Sequence, residues 1–257
     1  MKILILDSGL PDHIDIPITN KFKNFFSEEY LDLFQNEKYF VPDKGEINYE
    51  IEPIDDFFDH QTNMTGIICS NKIGFCKNVD IYVGKILNKY GYGTLKQILE
   101  GLKYANEINP NIINISTGYD LKSINNKNNL TIHNLIKKEI DILCSKNIAI
   151  ICAAGNKNKN MFYPANFQNT ISASIYYNSF KNSDYICKVE HFITLSKKKD
   201  YTIKKGSSSA AAYLTSLVAN YLIENPKSNI NKIKNYIKYN NNKFFNKYED
   251  TIIEAII

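Results

Sequence analysis

Polar side chains with chemical potential stand in this sequence directly after apolar runs. Asp7 follows the run "ILIL", Ser116-Thr117-Gly118 follows "NIINI", and Asn156 follows "IAIICAAG". Ser207-Ser208-Ser209 opens the long apolar stretch "AAAYLTSLVANYLI". The segment "DHQTNMTGII", Asp59 to Ile68, passes from polar to small to apolar as a loop entering a helix does. A carboxylate such as Asp7 can orient an imidazole. A hydroxyl at a helix start sits among free N–H groups and a dipole that favour developing negative charge. An asparagine amide can donate to an oxyanion. Each also has a plainer reading: Asp7 as a turn or cap residue, the serines as helix caps, Asn156 as a turn residue.

These residues need elements to hold them. "ILIL" and "VDIYVGKIL" read as buried strands, as do "NIINIS" and "IAIICAAGN"; "NTISASI" and "EHFITLS" read as further strands. Between them, Leu95, Ile98, Leu99, Leu102 and Ala105 recur at the spacing of an amphipathic helix. "TIHNLIKKEIDILCSKN" predicts another helix, and "SSSAAAYLTSLVANYLIENP" one that ends before Pro226. "NINKIKNYIKYN" predicts a last amphipathic helix, and Thr65 to Cys69 a helix body. Residues 10–58 read as irregular, with "FKNFFSEEYLDLF" as a short amphipathic helix. "KSINNKNN" and "NKNKNMF" read as surface loops. Strands alternating with helices imply a mainly parallel sheet covered on both faces, an α/β, three-layer fold. In such sheets sites lie at the carboxyl ends of strands, where Asp7, Ser116 and Asn156 stand.

The bulk numbers are compatible with one such domain. The chain has 257 residues, 44% hydrophobic and 23% charged, with a net charge of +4 spread among Asn and acidic residues. That pattern reads as a solvated surface and excludes a nucleic-acid footprint. The five cysteines form no CxxC pair, and read as reduced thiols, hence a cytoplasmic protein. "MKILILDSGL" is too short an apolar run for a secretory signal, and no stretch has the length of a membrane span. No His/Cys/Asp/Glu spacing reads as a metal site.

Four ordered segments resemble the subtilisin-like serine peptidases. "ILILDSG" resembles the strand that carries the family's catalytic aspartate, here Asp7. "HQTNMTGII" resembles His-Gly-Thr-His-Val-Ala-Gly-Ile. "NIINISTG" and "AIICAAGN" resemble the two substrate-binding strands, the second ending in the oxyanion-hole Asn, here Asn156. "GSSSAAAYLTSLVA" resembles the helix start that bears the nucleophile, here Ser208, and "MFYPANF" the family's Tyr-Pro-Ala turn. The resemblance implies one subtilisin-like peptidase domain over residues 1–257, without a propeptide. Its substrate groove would be lined by Ser116, Thr117, Gly118, Ala153, Ala154 and Gly155. It admits calcium, with no ligands assigned in this sequence.

Taking the second His of the motif as the base puts Asn63 in that position. Asn can hold the geometry but cannot accept a proton near neutral pH, and loss of the base from a serine triad costs about 10⁶ in kcat. Further departures are Gln61 for Gly, Thr65 for Ala, Ala211-Ala212 for Ser-Pro and Tyr213 for His. The expectation from this reading is an inactive pseudopeptidase that binds a peptide or partner protein, including an active peptidase subunit, in the groove. The alternatives are an active endopeptidase using His60 or a partner's group as base, and an engineered inactive form. Thr62 and Gly66 hold the register against a shift of His60 toward Ser208. His13, His133 and His191 fall away from the site.

Overall fold

The computed structural model describes all residues except 18–20, 42–43, 121, 123, 125, 157–159, 177–179, 181, 198–199 and 241–257. The strands are β1 (Lys2–Asp7), β2 (Phe22–Asn24), β3 (Lys38–Val41), β4 (Gly45–Asn48), β5 (Asp80–Lys85) and β6 (Ile112–Ile115). They continue with β7 (Ala149–Ala153), β8 (Ile171–Ile175), β9 (Tyr185–Cys187), β10 (Phe192–Ser196) and β11 (Asp200–Lys204). The helices are α1 (Leu31–Phe34), α2 (His60–Cys69), α3 (Leu95–Ile108), α4 (Lys127–Ser145), α5 (Ser207–Glu224) and α6 (230–240).

Seven strands form one sheet in the order β2-β5-β1-β6-β7-β8-β9, every pair parallel. Apolar runs fit its centre because both faces are covered, and alternate side chains serve opposite layers. Ile3 and Ile5 of β1 join the layer of α2, α5 and α6. Leu4 and Leu6 join the layer of α3 and α4. Helices on both faces of the sheet bear out the three-layer α/β expectation.

The chain reverses direction at β1. From β1 the chain passes to β2 and β5 on one side and then, through α3, back past β1 to β6 on the other. α2 packs with Ile3 and Ile5 on one face of the sheet, and α3 with Leu4 and Leu6 on the other. Ligand sites form at such a switch point, outside the carboxyl strand ends, and Asp7 is the last residue of β1.

One expectation fails here. Residues 22–34 form no amphipathic helix: Phe22–Asn24 is an edge strand, a single 3₁₀ turn covers Glu28–Tyr30, and α1 has one turn. Phe25, Phe26 and Phe34 are buried in an aromatic group with Tyr39 and Tyr49, so tertiary stacking overrides the helical spacing. "EHFITLS" does become a strand, β10, but it pairs antiparallel with β11 in a separate hairpin. α2 and α4 begin at His60 and Lys127, earlier than the sequence suggests. Of "NKNKNMF", residues 157–159 lie outside the described residues.

Candidate active site

Strand register assembles the first part of the site. Leu6 is level with Ile115 on β6, and Ile115 with Cys152 on β7. One residue further, Asp7, Ser116 and Ala153 therefore end three adjacent strands in a row, at a spacing of about 4.8 Å. The hydroxyl of Ser208, the second residue of α5, donates to the Ser116 carbonyl at 2.8 Å. The Ser116 hydroxyl returns a bond to the Ser208 carbonyl at 3.3 Å. These bonds fasten the start of α5 over the strand ends, while Asn114 Nδ2 donates to Thr215 one helical stretch deeper.

The imidazole facing Asp7 belongs to His60. Its Nδ1 lies 2.8 Å from both carboxylate oxygens of Asp7, which is fully buried. An ionised carboxylate only accepts, so Nδ1 carries the hydrogen and the Nε2 lone pair is left to take a proton. Burial works to lower the His60 pKa, but the charge of Asp7 and its hydrogen bond outweigh it and hold the pKa above the ordinary 6.5.

Asn63 does not face Asp7, as the sequence reading required of it. It lies nearly one turn further along α2 and is buried. Its Nδ2 donates to the Leu195 carbonyl of β10 at 2.8 Å, and its own carbonyl accepts from the Thr194 hydroxyl. Asn63 thus ties α2 to the β10–β11 hairpin. His60, offered by the sequence as an alternative base, is the first residue of α2 and meets Asp7 directly.

The device that places His60 is Asp56, which no sequence motif marks. One carboxylate oxygen accepts from the Ser8 hydroxyl at 2.7 Å and the Asp59 N–H at 2.9 Å. The other accepts from the N–H and hydroxyl of Thr62, both at 2.7 Å. Ser8 Oγ in turn accepts the Gln61 N–H at 3.0 Å. Asp56 thereby caps α2 from four residues upstream, because Asp59 adopts φ 70° and spends its own carboxylate on Ser196 and Lys197. Burial pushes the Asp56 pKa up, against the hydrogen bonds from Ser8 and Thr62. Lys85, also buried, supports the same segment. Its Nζ donates to the carbonyls of Ser8 and Asp55 and lies 3.4 Å from Glu52. Gly9, at φ 137°, lets the turn after Asp7 press on this segment: a Cβ there would fall 2.3 Å from the Ile54 carbonyl.

Two groups able to donate hydrogen bonds stand beside Ser208. Asn156 Oδ1 accepts the Ser207 N–H at 2.8 Å, which fixes the amide and leaves Nδ2 to donate. The Ser208 N–H belongs to the first turn of α5, where no intrahelical acceptor exists. Gly206, at φ 118°, packs against the Asn156 amide with room for no larger residue without a shift. A cavity of about 340 Å³ opens here between Ser116–Gly118 on one side and Ala153, Gly155 and Asn156 on the other, with Ser208 at its edge. Ala154 backs this wall: it is buried, with its N–H on Ala173 and its carbonyl on Phe162.

The other histidines stand elsewhere. His13 is buried beside Tyr201 and accepts the Asp15 N–H; His133 bonds the Tyr119 hydroxyl; His191 is exposed. Among the described residues, no three carboxylate, imidazole or thiol side chains gather to hold a metal ion, and the described cysteines are free thiols. No described helix is long and apolar enough to cross a membrane.

Comparison with known proteins agrees with this fold. The chain is 24% identical over 242 residues to the intracellular serine protease of Paenibacillus polymyxa, a match covering 85% of this chain and 65% of that protein. It is 23% identical to subtilisin DY of Bacillus licheniformis, covering 68% of each. With alkaline elastase YaB of a Bacillus strain it shares 24% identity over 67% of this chain and 38% of the relative. The crystal structure of a cold-adapted subtilisin-like serine proteinase superposes with a TM-score of 0.67, covering 91% of this chain and 79% of that one, at 17% identity. The family description of the subtilases, peptidase family S8, matches residues 1–252, and with the fold and strand-end site described above the chain belongs to the subtilase family.

Proposed function

We propose that the chain is an active serine endopeptidase with Ser208 as nucleophile, His60 as general base and Asp7 as its orienting carboxylate. The observation that supports this reading is the bond from His60 Nδ1 to Asp7. It replaces the argument for an inactive protein, which rested on Asn63. The Ser208 hydroxyl rests on the Ser116 carbonyl, and this reading requires it to turn about its Cα–Cβ bond toward His60. Catalytic hydrogen bonds often tighten only when substrate binds.

In the reaction, Ser208 Oγ attacks the peptide carbonyl and its proton passes to His60 Nε2. Asn156 Nδ2 and the Ser208 N–H take the developing oxyanion, each donor of this type being worth about 10²–10³ in rate. The C–N bond breaks as His60 returns the proton to the leaving amine. Water then cleaves the acyl ester by the same base. The substrate lies extended along 116–118 as an added strand. The free thiols and the intracellular relative support a cytoplasmic setting.

A fluorophosphonate probe, which reports an activated serine, tests the assignment. The parent protein labels, and labelling vanishes in Ser208→Ala and in His60→Ala. Asn63→His labels no better than the parent, since residue 63 serves β10. A parent that does not label, with labelling gained in Asn63→His, would restore the inactive, peptide-binding reading.

A further inference from the structure

Phe162 lies in the cavity beside Ser208. Its N–H donates to the Ala154 carbonyl at 3.0 Å, and the next residue, Tyr163, exchanges two 2.8 Å backbone bonds with Tyr119. The segment is therefore tied to both walls of the slot. A Cβ built on Gly155 would lie 3.3–3.5 Å from three ring atoms of Phe162. One built on Gly118 would meet Phe162 Cβ at 3.2 Å and a ring carbon at 3.6 Å. The ring thus packs against both glycines, in the space between the strand ends. Among the described residues, no charged side chain lines the cavity.

The oxyanion donors fix which substrate residue enters. With its carbonyl oxygen between Asn156 and the Ser208 N–H, the residue on the acyl side of the cleaved bond turns its side chain toward this slot. We propose that Phe162 is a specificity-determining residue whose ring narrows the slot between Gly118 and Gly155 and restricts that substrate position to small uncharged side chains, of the size of Gly, Ala or Ser. The inference rests on the peptidase reading above and adds the substrate class to it. A large side chain meets the Phe162 ring, and a charged one finds no partner.

Two measurements separate the inference from the reading beneath it. With matched peptide anilides carrying Ala or Phe at the acyl position, the parent prefers Ala in kcat/KM by tenfold or more. Phe162→Gly reverses the order. Equilibrium binding of the same two peptides to Ser208→Ala, alone and combined with Phe162→Gly, reads the pocket without turnover and gives the same reversal. Absent turnover with the reversal in binding overturns the active-site assignment and keeps the role of Phe162. A parent that prefers Phe, a preference unmoved by Phe162→Gly, or no binding of either peptide to either variant overturns the role of Phe162.

Discussion

His60 joins two demands that pull against each other. Asp7 holds its imidazole in place and orients its proton, and in doing so favours the charged form that cannot act as a base. Because the folded pKa is raised above 6.5, folding binds a proton at His60. That contribution to stability is fully present below the unfolded value and is lost as pH rises through the folded value. Activity moves oppositely, since the neutral base appears over the same range. The acid limb of kcat/KM against pH is therefore expected above 6.5. Asp7→Asn removes the charge that raises the pKa and the acceptor that sets the tautomer. It moves the limb down and costs about 10⁴ in kcat. A limb unmoved in Asp7→Asn would show that another group titrates.

At the scale of elements, the start of α2 matters most. Its first turn is held from outside the helix by Asp56, through Thr62, Asp59 and Ser8. Asp56 touches no reacting atom and acts through the placement of His60, so it is a positioning residue. Asp56→Ala frees buried donors and lets the turn drift, and displacements near 1 Å cost about 10² in rate. The expected result is a fall in kcat of that order with KM changed less than threefold, because the groove walls on β6 and β7 are untouched. A rise in KM at constant kcat would assign Asp56 to substrate binding. Asn63 belongs to this scale too. Its bonds to Leu195 and Thr194 join helix to hairpin, which explains why an uncharged amide suits the position.

Across the molecule, two apolar layers meet at the sheet, and buried polar residues gather at its carboxyl strand ends. Lys85 is one of them. Its ammonium is buried, desolvation lowers its pKa, and Glu52 opposes that. Breaking a buried pair from one side costs about 3–5 kcal/mol because the remaining charge loses its partner. Lys85→Met should lower unfolding stability by that amount in denaturant titration, and Lys85→Met with Glu52→Gln should recover part of it. A single substitution costing less than about 1 kcal/mol would mean that water reaches Glu52.

The sequence by itself determined the layers and the element ends at which the candidate site residues stand. Buried runs such as "ILIL" and "NIINI" admit only a doubly covered sheet, the 3.6-residue spacing from Leu95 to Ala105 admits only a helix, and Asp7, Ser116, Asn156 and Ser208 all fall at element ends. It did not determine which of two residues three apart, His60 or Asn63, meets Asp7. Both lie on neighbouring faces of α2, and the choice depends on how far the helix extends toward its start. That is set by Asp56, Ser8 and the left-handed Asp59, contacts separated by up to 48 residues. Only the tertiary structure decided it, because β10 approaches α2 at Asn63 and β1 approaches it at His60. The same holds for Phe162: its backbone partners are Ala154, beside it in the fold, and, through Tyr163, Tyr119, 44 residues away in sequence. No local pattern reports a ring seated between Gly118 and Gly155, since a side chain's neighbours are set by packing and not by spacing along the chain.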